Sequence, residues 1–168
     1  MINIEFEKGA GLGNQLWLYA SMRGIAKKLT KQFSVTNYDN FKGKDFLLID
    51  KGSEKQDINF NDFFEELIYD DFYNTLIANF DNSINYTPGN FKLNGIFQSE
   101  KYFKHIEKEI KEDFEFVDDI REPCLEFTCL HDKLIFLHVR RGDNVGREHL
   151  HPDQRSHSIF TDAGDQPN

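Results

Sequence analysis

Cysteine occurs only twice in the chain, at Cys124 and Cys129, which excludes a disulfide framework. His131 lies nearby but finds no second Cys/His pair to complete a zinc pattern, so both thiols are expected as small core residues. Basic residues are outnumbered, 20 Lys and Arg against 29 Asp and Glu, for a net charge of −9. A protein that neutralises phosphates along a duplex needs a basic stripe, so nucleic acid is excluded as a general partner, while a single local phosphate site is not. No run reaches the roughly 18 consecutive apolar residues of a spanning helix. Met1 leads directly into Ile2-Asn3-Ile4-Glu5-Phe6, without the pattern of a leader. The expectation is a cytoplasmic chain with no signal peptide and no transmembrane segment, peripheral attachment to a membrane staying open.

What is present suffices for a core. Of the 168 residues, 39% are hydrophobic and 17 are Phe, while 29% are charged, as on a soluble globular surface. That length accommodates one domain and the beginning of a second. No internal repeat or low-complexity tract occurs.

Ile2 to Phe6 alternates with period two and predicts a strand, with the Gly-rich segment after it as its turn. Asn14 then opens a predicted helix, in which Leu16, Tyr19, Ala20, Met22, Ile25, Ala26 and Leu29 recur at mostly three- and four-residue steps. Phe33 to Thr36 is a strand candidate, and Phe46 to Ile49 is a second apolar run. Residues 59–80 mix aromatic and acidic side chains at spacings that predict one or two short helices, and residues 82–90 carry turn chemistry around Pro88-Gly89. Phe91 to Phe97 predicts a strand, and Ser99 is placed to cap an amphipathic helix through Tyr102, Phe103, Ile106 and Ile110, with Pro123 ending that region. Leu134 to Leu137 has the unbroken apolar character of a strand buried in a parallel sheet, and delivers His138-Val139-Arg140-Arg141-Gly142-Asp143 at its C-terminal end. From Asn144 onward the composition changes, with no Lys or Tyr but three of the six His and two of the four Pro.

The stretch Gly9-Ala10-Gly11-Leu12-Gly13-Asn14-Gln15 fails the dinucleotide fingerprint, because the third glycine falls on Asn14 in one register and on Leu16 in the other. No Gly-Lys-Ser/Thr follows, so it is not a Walker loop. Two readings stay open. Gly11 and Gly13 expose helix N-terminal amides to an anion while Asn14 bonds a phosphate or sugar hydroxyl, or the segment is a tight turn that Asn14 caps. For Arg140 and Arg141 the alternatives are bidentate binding of a diphosphate and a solvated pair balanced by Asp143. His138 shares a face with Arg140 and reaches toward the same ligand. An adhesion reading of Arg141-Gly142-Asp143 is weaker, since so short a tripeptide arises by chance.

Gly11-Leu12-Gly13-Asn14-Gln15-Leu16, followed by Tyr19-Ala20, resembles the N-terminal signature of the family 11 glycosyltransferases, the α-1,2-fucosyltransferases. His138-Val139-Arg140-Arg141-Gly142-Asp143 resembles their GDP-fucose motif, and Gly95 to Phe103 is similar to the pattern between the two. The resemblance implies an α/β chain of GT-B type: a Rossmann-like N-terminal domain over residues 1–130, and over 131–168 the start of the GDP-fucose-binding domain. It implies transfer of fucose from GDP-fucose to the 2-hydroxyl of a galactoside acceptor with inversion, and no cofactor or metal. The absence of an Asp-x-Asp motif agrees with the last point. Arg140 and Arg141 would then stabilise the departing diphosphate, Asp143 would orient them, and Gly11, Gly13, Asn14 and His138 would bind substrate. Asp143 to Glu148 is also similar to a motif of the more distant α-1,6-fucosyltransferases, which makes Glu148 a candidate base.

In such enzymes the nucleotide domain continues well past the Arg motif, so the resemblance also implies a chain truncated soon after it, with activity reduced or absent. The rival expectation is a non-catalytic carbohydrate-binding or interaction protein derived from the same fold. A Rossmann oxidoreductase is disfavoured by Asn14.

Overall fold

Alternation of Ile2, Ile4 and Phe6 produces the strand it predicts: β1, Ile2–Glu5, buries these side chains completely. The computed structural model describes residues 1–54, 59–65, 67–70, 75–78 and 80–130, with 67–70 and 75–78 by backbone alone. Asn3 faces the other way and is also buried, its amide donating to Ser34 Oγ at 2.9 Å and to Ser34 O at 3.2 Å, so the inward polar group is satisfied.

The helical stripe gives α1, Leu12–Lys28, which buries Tyr19, Met22, Ile25 and Ala26, with Lys27 and Lys28 in the last turn at the negative end of its dipole. Its one Trp, Trp17, is partly buried with its ring 5.6 Å from that of Phe103. β2, Phe33–Thr36, returns parallel to β1, with Ile2 opposite Phe33. β3, Asn61–Phe64, pairs parallel with β6, Phe91–Asn94, and β6 lies parallel against the other side of β1. The sheet order is β2-β1-β6-β3. Leu67–Asp70 (β4) and Thr75–Ala78 (β5) form a separate antiparallel pair. This is a mixed α/β arrangement with a four-stranded parallel sheet, consistent with a Rossmann-like fold.

Two helices follow, α2 (Glu107–Asp113) and α3 (Asp118–Cys129). Arg23 ties α1 to the end of α2: its Nε donates to Asp113 Oδ2 at 2.7 Å, its Nη2 to Oδ1 at 3.4 Å, and its guanidinium lies 4.5 Å from the centre of the Phe33 ring. Gly24 lets α1 approach the chain at 102–103, where a Cβ would stand 2.2 Å from Tyr102 O. The chain divides between Phe127 and Thr128 into two units, and all these elements lie in the first except the last two residues of α3. No helix among the described residues is long and apolar enough to cross a membrane.

Several expectations are corrected. Residues 61–64, 67–70 and 75–78 are strands rather than helix: parallel pairing of 61–64 with β6 seats Phe63 against the rings of Phe91 and Phe97, at 6.0 and 6.4 Å, while 67–70 and 75–78 pair with each other. The strand at Phe91 stops at Asn94, since Gly95 (φ +149°) and Phe97 (φ +49°) leave the extended region. Ser99 caps nothing. Two 3₁₀ turns, Glu100–Tyr102 and Lys104–Ile106, precede α2, because Phe103 is held at φ −132° where the chain presses on Gly24. Pro123 lies inside α3 instead of ending the preceding region. Proline removes one backbone donor there, and α3 is an exposed helix that buries no residue. For the same reason Cys124 and Cys129 are exposed thiols, not core residues.

Candidate functional site

The chain leaves β1 toward β2 and later returns on the opposite side as β6, so strand order reverses between β1 and β6. Parallel α/β sheets hold their ligands at the carboxyl ends of the strands flanking such a point. A cleft of about 270 Å³ opens there, lined from β1 and its turn by Glu5, Phe6, Glu7 and Ala10, from α1 by Asn14, Gln15 and Leu18, and beyond β6 by Gly95 and Ile96.

The turn into α1 needs one glycine for its geometry: Gly9 adopts φ +93°, a region that side chains disfavour, and the Ala10 N–H donates to Glu7 O at 3.4 Å. Gly11 and Gly13 differ. Gly11 is the N-cap at φ −68°, ψ 149°, with no side-chain cap, and Gly13 is already helical. Nothing lies within 4 Å of a Cβ added at either. Neither packing nor backbone conformation explains these two glycines, and their effect is to leave the first helical amides uncovered; Gly13 itself borders a separate apolar hollow with Trp17 and Phe103.

The expected opening of the helix at Asn14 is corrected to Leu12, because the chain turns helical directly after extended Gly11. Asn14 does not cap the helix. Its Oδ1 accepts from Gln98 Nε2 at 2.9 Å, across 84 residues of chain. The segments 11–16 and 95–103 are thus joined: besides this bond, Ser21 Oγ donates to Phe97 O at 3.0 Å.

Gln15, not foreseen as a site residue, is 2% exposed; its Nε2 donates to Asn40 O and its Oε1 accepts from the Lys42 N–H, both at 2.9 Å. It holds the chain beyond β2 against α1 and forms the floor of the cleft. Its position on the stripe Gln15, Tyr19, Met22, Ala26 is the sequence signal, a polar residue where helical spacing demands burial. Gln98 and Glu65, also unforeseen, carry no comparable local signal.

Two carboxylates and two carboxamides line the cleft beside a mostly apolar remainder, and no Lys or Arg is among the described residues that line it. Glu5 Oε2 pairs with Lys92 Nζ at 2.5 Å while its Oε1 accepts from Asn37, so Glu5 is already compensated. Glu7 and the Asn14 amide N–H are placed to hydrogen-bond hydroxyl groups, and the described lining offers no side-chain cation to a diphosphate. His138, Arg140, Arg141, Asp143 and Glu148 lie outside the described residues. Among the described residues no three His, Cys, Asp or Glu side chains gather as a metal set. Comparison with protein-family models, curated proteins and solved structures finds nothing that matches this chain.

Proposed function

We propose that the chain is an α-1,2-fucosyltransferase-like enzyme of GT-B type, moving L-fucose from GDP-fucose to the 2-hydroxyl of a galactoside with inversion. The observation that carries this reading is the Gln98–Asn14 hydrogen bond, which unites two of the three family-like segments beside one cleft at the sheet's switch point. In this reading the cationic charge for the diphosphate is assigned, from the resemblance, to Arg140 and Arg141 of the third segment.

In the reaction the acceptor oxygen attacks the anomeric carbon of fucose as the bond from that carbon to the β-phosphate oxygen breaks. Arg140 and Arg141 neutralise the charge growing on the departing GDP, Asp143 orients them, and His138 lies against the nucleotide. Glu148 takes the hydroxyl proton. The amides at Gly11 and Gly13 and the Asn14 carboxamide hold substrate hydroxyl or phosphate oxygens. A second reading, a carbohydrate-binding protein without turnover, draws on the carboxylate-and-amide lining, which suffices to hold hydroxyls.

Calorimetric titration of the 168-residue chain with GDP-fucose is expected to show binding in the micromolar range, weakened about tenfold or more by Arg140→Ala. Release of GDP in the presence of a galactoside is expected to fall with it. A folded chain that binds a galactoside but neither binds GDP-fucose nor releases GDP turns the choice to the binding protein.

Gly13→Ala tests the proposed role of the helix amides. Ala removes the entropic cost of a helical glycine and meets open space, so stability should rise by about 0.5–1 kcal/mol. That gain corresponds to roughly 2 °C in the thermal midpoint. Donor binding should weaken in the same variant, because the new methyl covers the free amides. A variant both stabler and fully active assigns Gly13 no part in binding.

A further inference from the structure

The structure assigns Glu65 a positioning role: its carboxylate holds the turn that follows β6, and through that turn sets Ile96 in the cleft wall and Gln98 on Asn14. The inference rests on the transferase reading for its consequence in turnover, but not for its geometry. Glu65 directly follows β3, and its own N–H donates to Asn94 O at 2.9 Å, continuing the β3–β6 ladder by one step. From there its Oε2 accepts the N–H of Ile96 at 2.7 Å and that of Phe97 at 2.8 Å.

Those two amides have no strand partner, because the backbone has left the sheet. Phe97, fully buried, sits at φ +49°, a conformation an aromatic residue keeps only when its surroundings impose it. Ser21 fixes the carbonyl side of Phe97, Tyr102 meets its ring edge-on at 5.4 Å, and Glu65 fixes the amide side. Gly95 is the necessary counterpart. A Cβ there would fall 2.5 Å from Glu65 Cβ and 2.7 Å from Oε2, so only glycine admits the carboxylate.

Glu65 is 8% exposed, and its Oε1 is buried with no hydrogen-bond partner among the described residues. A carboxylate without a cation is costly to bury, and burial pushes this one above the usual glutamate range, the amides of Phe97 and Ile96 offsetting part of the effect. Tyr102, which feels the Glu65 charge, has its hydroxyl engaged by the Asp81 N–H at 2.8 Å.

The test compares Glu65→Ala and Glu65→Gln with the parent chain, by amide hydrogen exchange and by steady-state transfer to a galactoside. In Glu65→Ala, protection at Ile96 and Phe97 should fall tenfold or more while that at Ile4 in β1 holds. The acceptor KM should rise severalfold with kcat little changed, and Glu65→Gln, whose amide oxygen still accepts, should recover both. Protection within twofold of the parent, or a loss of protection that leaves KM unmoved, overturns the assignment.

Should Glu65→Ala fail to fold, the parent's Ile96 and Phe97 amide shifts must titrate together, with a midpoint above the ordinary glutamate value, and must stop doing so in Glu65→Gln. Because the folded-state pKa is raised, the parent should also lose stability relative to Glu65→Gln as pH rises from the usual carboxylate range through that midpoint. Shifts that do not titrate overturn the assignment. If the parent transfers no fucose at all, the transferase reading has failed, and the exchange and titration arms still decide whether Glu65 holds the turn.

Discussion

Replacing Arg23 by Met is expected to cost about 3 kcal/mol, the lower end of what breaking a buried ion pair costs, since both partners keep a little exposure. Arg23 and Asp113 are 19% and 13% exposed at their side chains. Met retains the apolar stem under the helix but removes both hydrogen bonds to Asp113 and the cation above Phe33. What dominates is the charge left behind. Asp113 remains a partly buried carboxylate that has lost its forked partner, next to Tyr19, whose hydroxyl burial and that same carboxylate already push above its usual range. The measurement is urea unfolding, where the midpoint should fall with an unchanged slope. Adding Asp113→Asn should return part of the loss, since the pair is coupled. A cost below about 1 kcal/mol would show that water screens the pair as it does surface ion pairs.

Replacing Gly24 by Ala should be nearly as damaging, and here two effects of opposite sign compete. Glycine inside a helix gives up about 1 kcal/mol relative to alanine. The new methyl, however, would stand 2.2 Å from Tyr102 O, 2.6 Å from Phe103 Cα and 2.8 Å from Phe103 Cβ. Two of these are backbone atoms, which cannot rotate away, so α1 must separate from the 102–103 segment. Overpacking of this kind costs about 1–3 kcal/mol when neighbours can adjust, and here they adjust poorly, so a net loss of about 2 kcal/mol is expected. The separation also pulls on Phe97 and Gln98, only a few residues upstream, and should weaken ligand binding at the cleft. Gly13→Ala on the same helix is the internal control: one chemical change, with opposite signs set by what lies beyond the Cβ. A stabilised Gly24→Ala chain would mean that α1 and Phe103 are not in contact.

The elements legible in the sequence are those whose identity is local. Ile2, Ile4 and Phe6 declare a strand by alternation, and the run from Tyr19 to Ala26 declares a helix by its apolar stripe, because each pattern reports the face that the residue itself buries. Residues 61–78 carry aromatic and acidic side chains whose spacing suits a helix as well. Pairing with a distant β6, Asn61 opposite Phe91, makes the first of these segments a strand, and that choice is invisible locally. Ser99 has the chemistry of a cap, but Phe103 is drawn onto Gly24 and the helix is delayed to Glu107.

The candidate site divides in the same way. Gly9 to Asn14 offers a ligand loop as one of two readings of its glycines, whereas Gln98 joins the candidate site only once tertiary folding brings it to Asn14. Nothing in a sequence distinguishes a Glu that takes two buried amides from one in solvent, so Glu65 could be found only from the folded chain.

Trp17 is the one tryptophan of the chain, and it stands on α1 against Phe103, between the glycines of the helix's first turn and the close contact at Gly24. The molecule therefore contains a single indole, whose emission can be excited apart from that of its six tyrosines and which already stands at the place of interest. Its emission reports on that one junction rather than on an average over the fold, so a ligand that reorders the first turns of α1, or a substitution that lifts the 102–103 segment, announces itself in the colour of its light without any label.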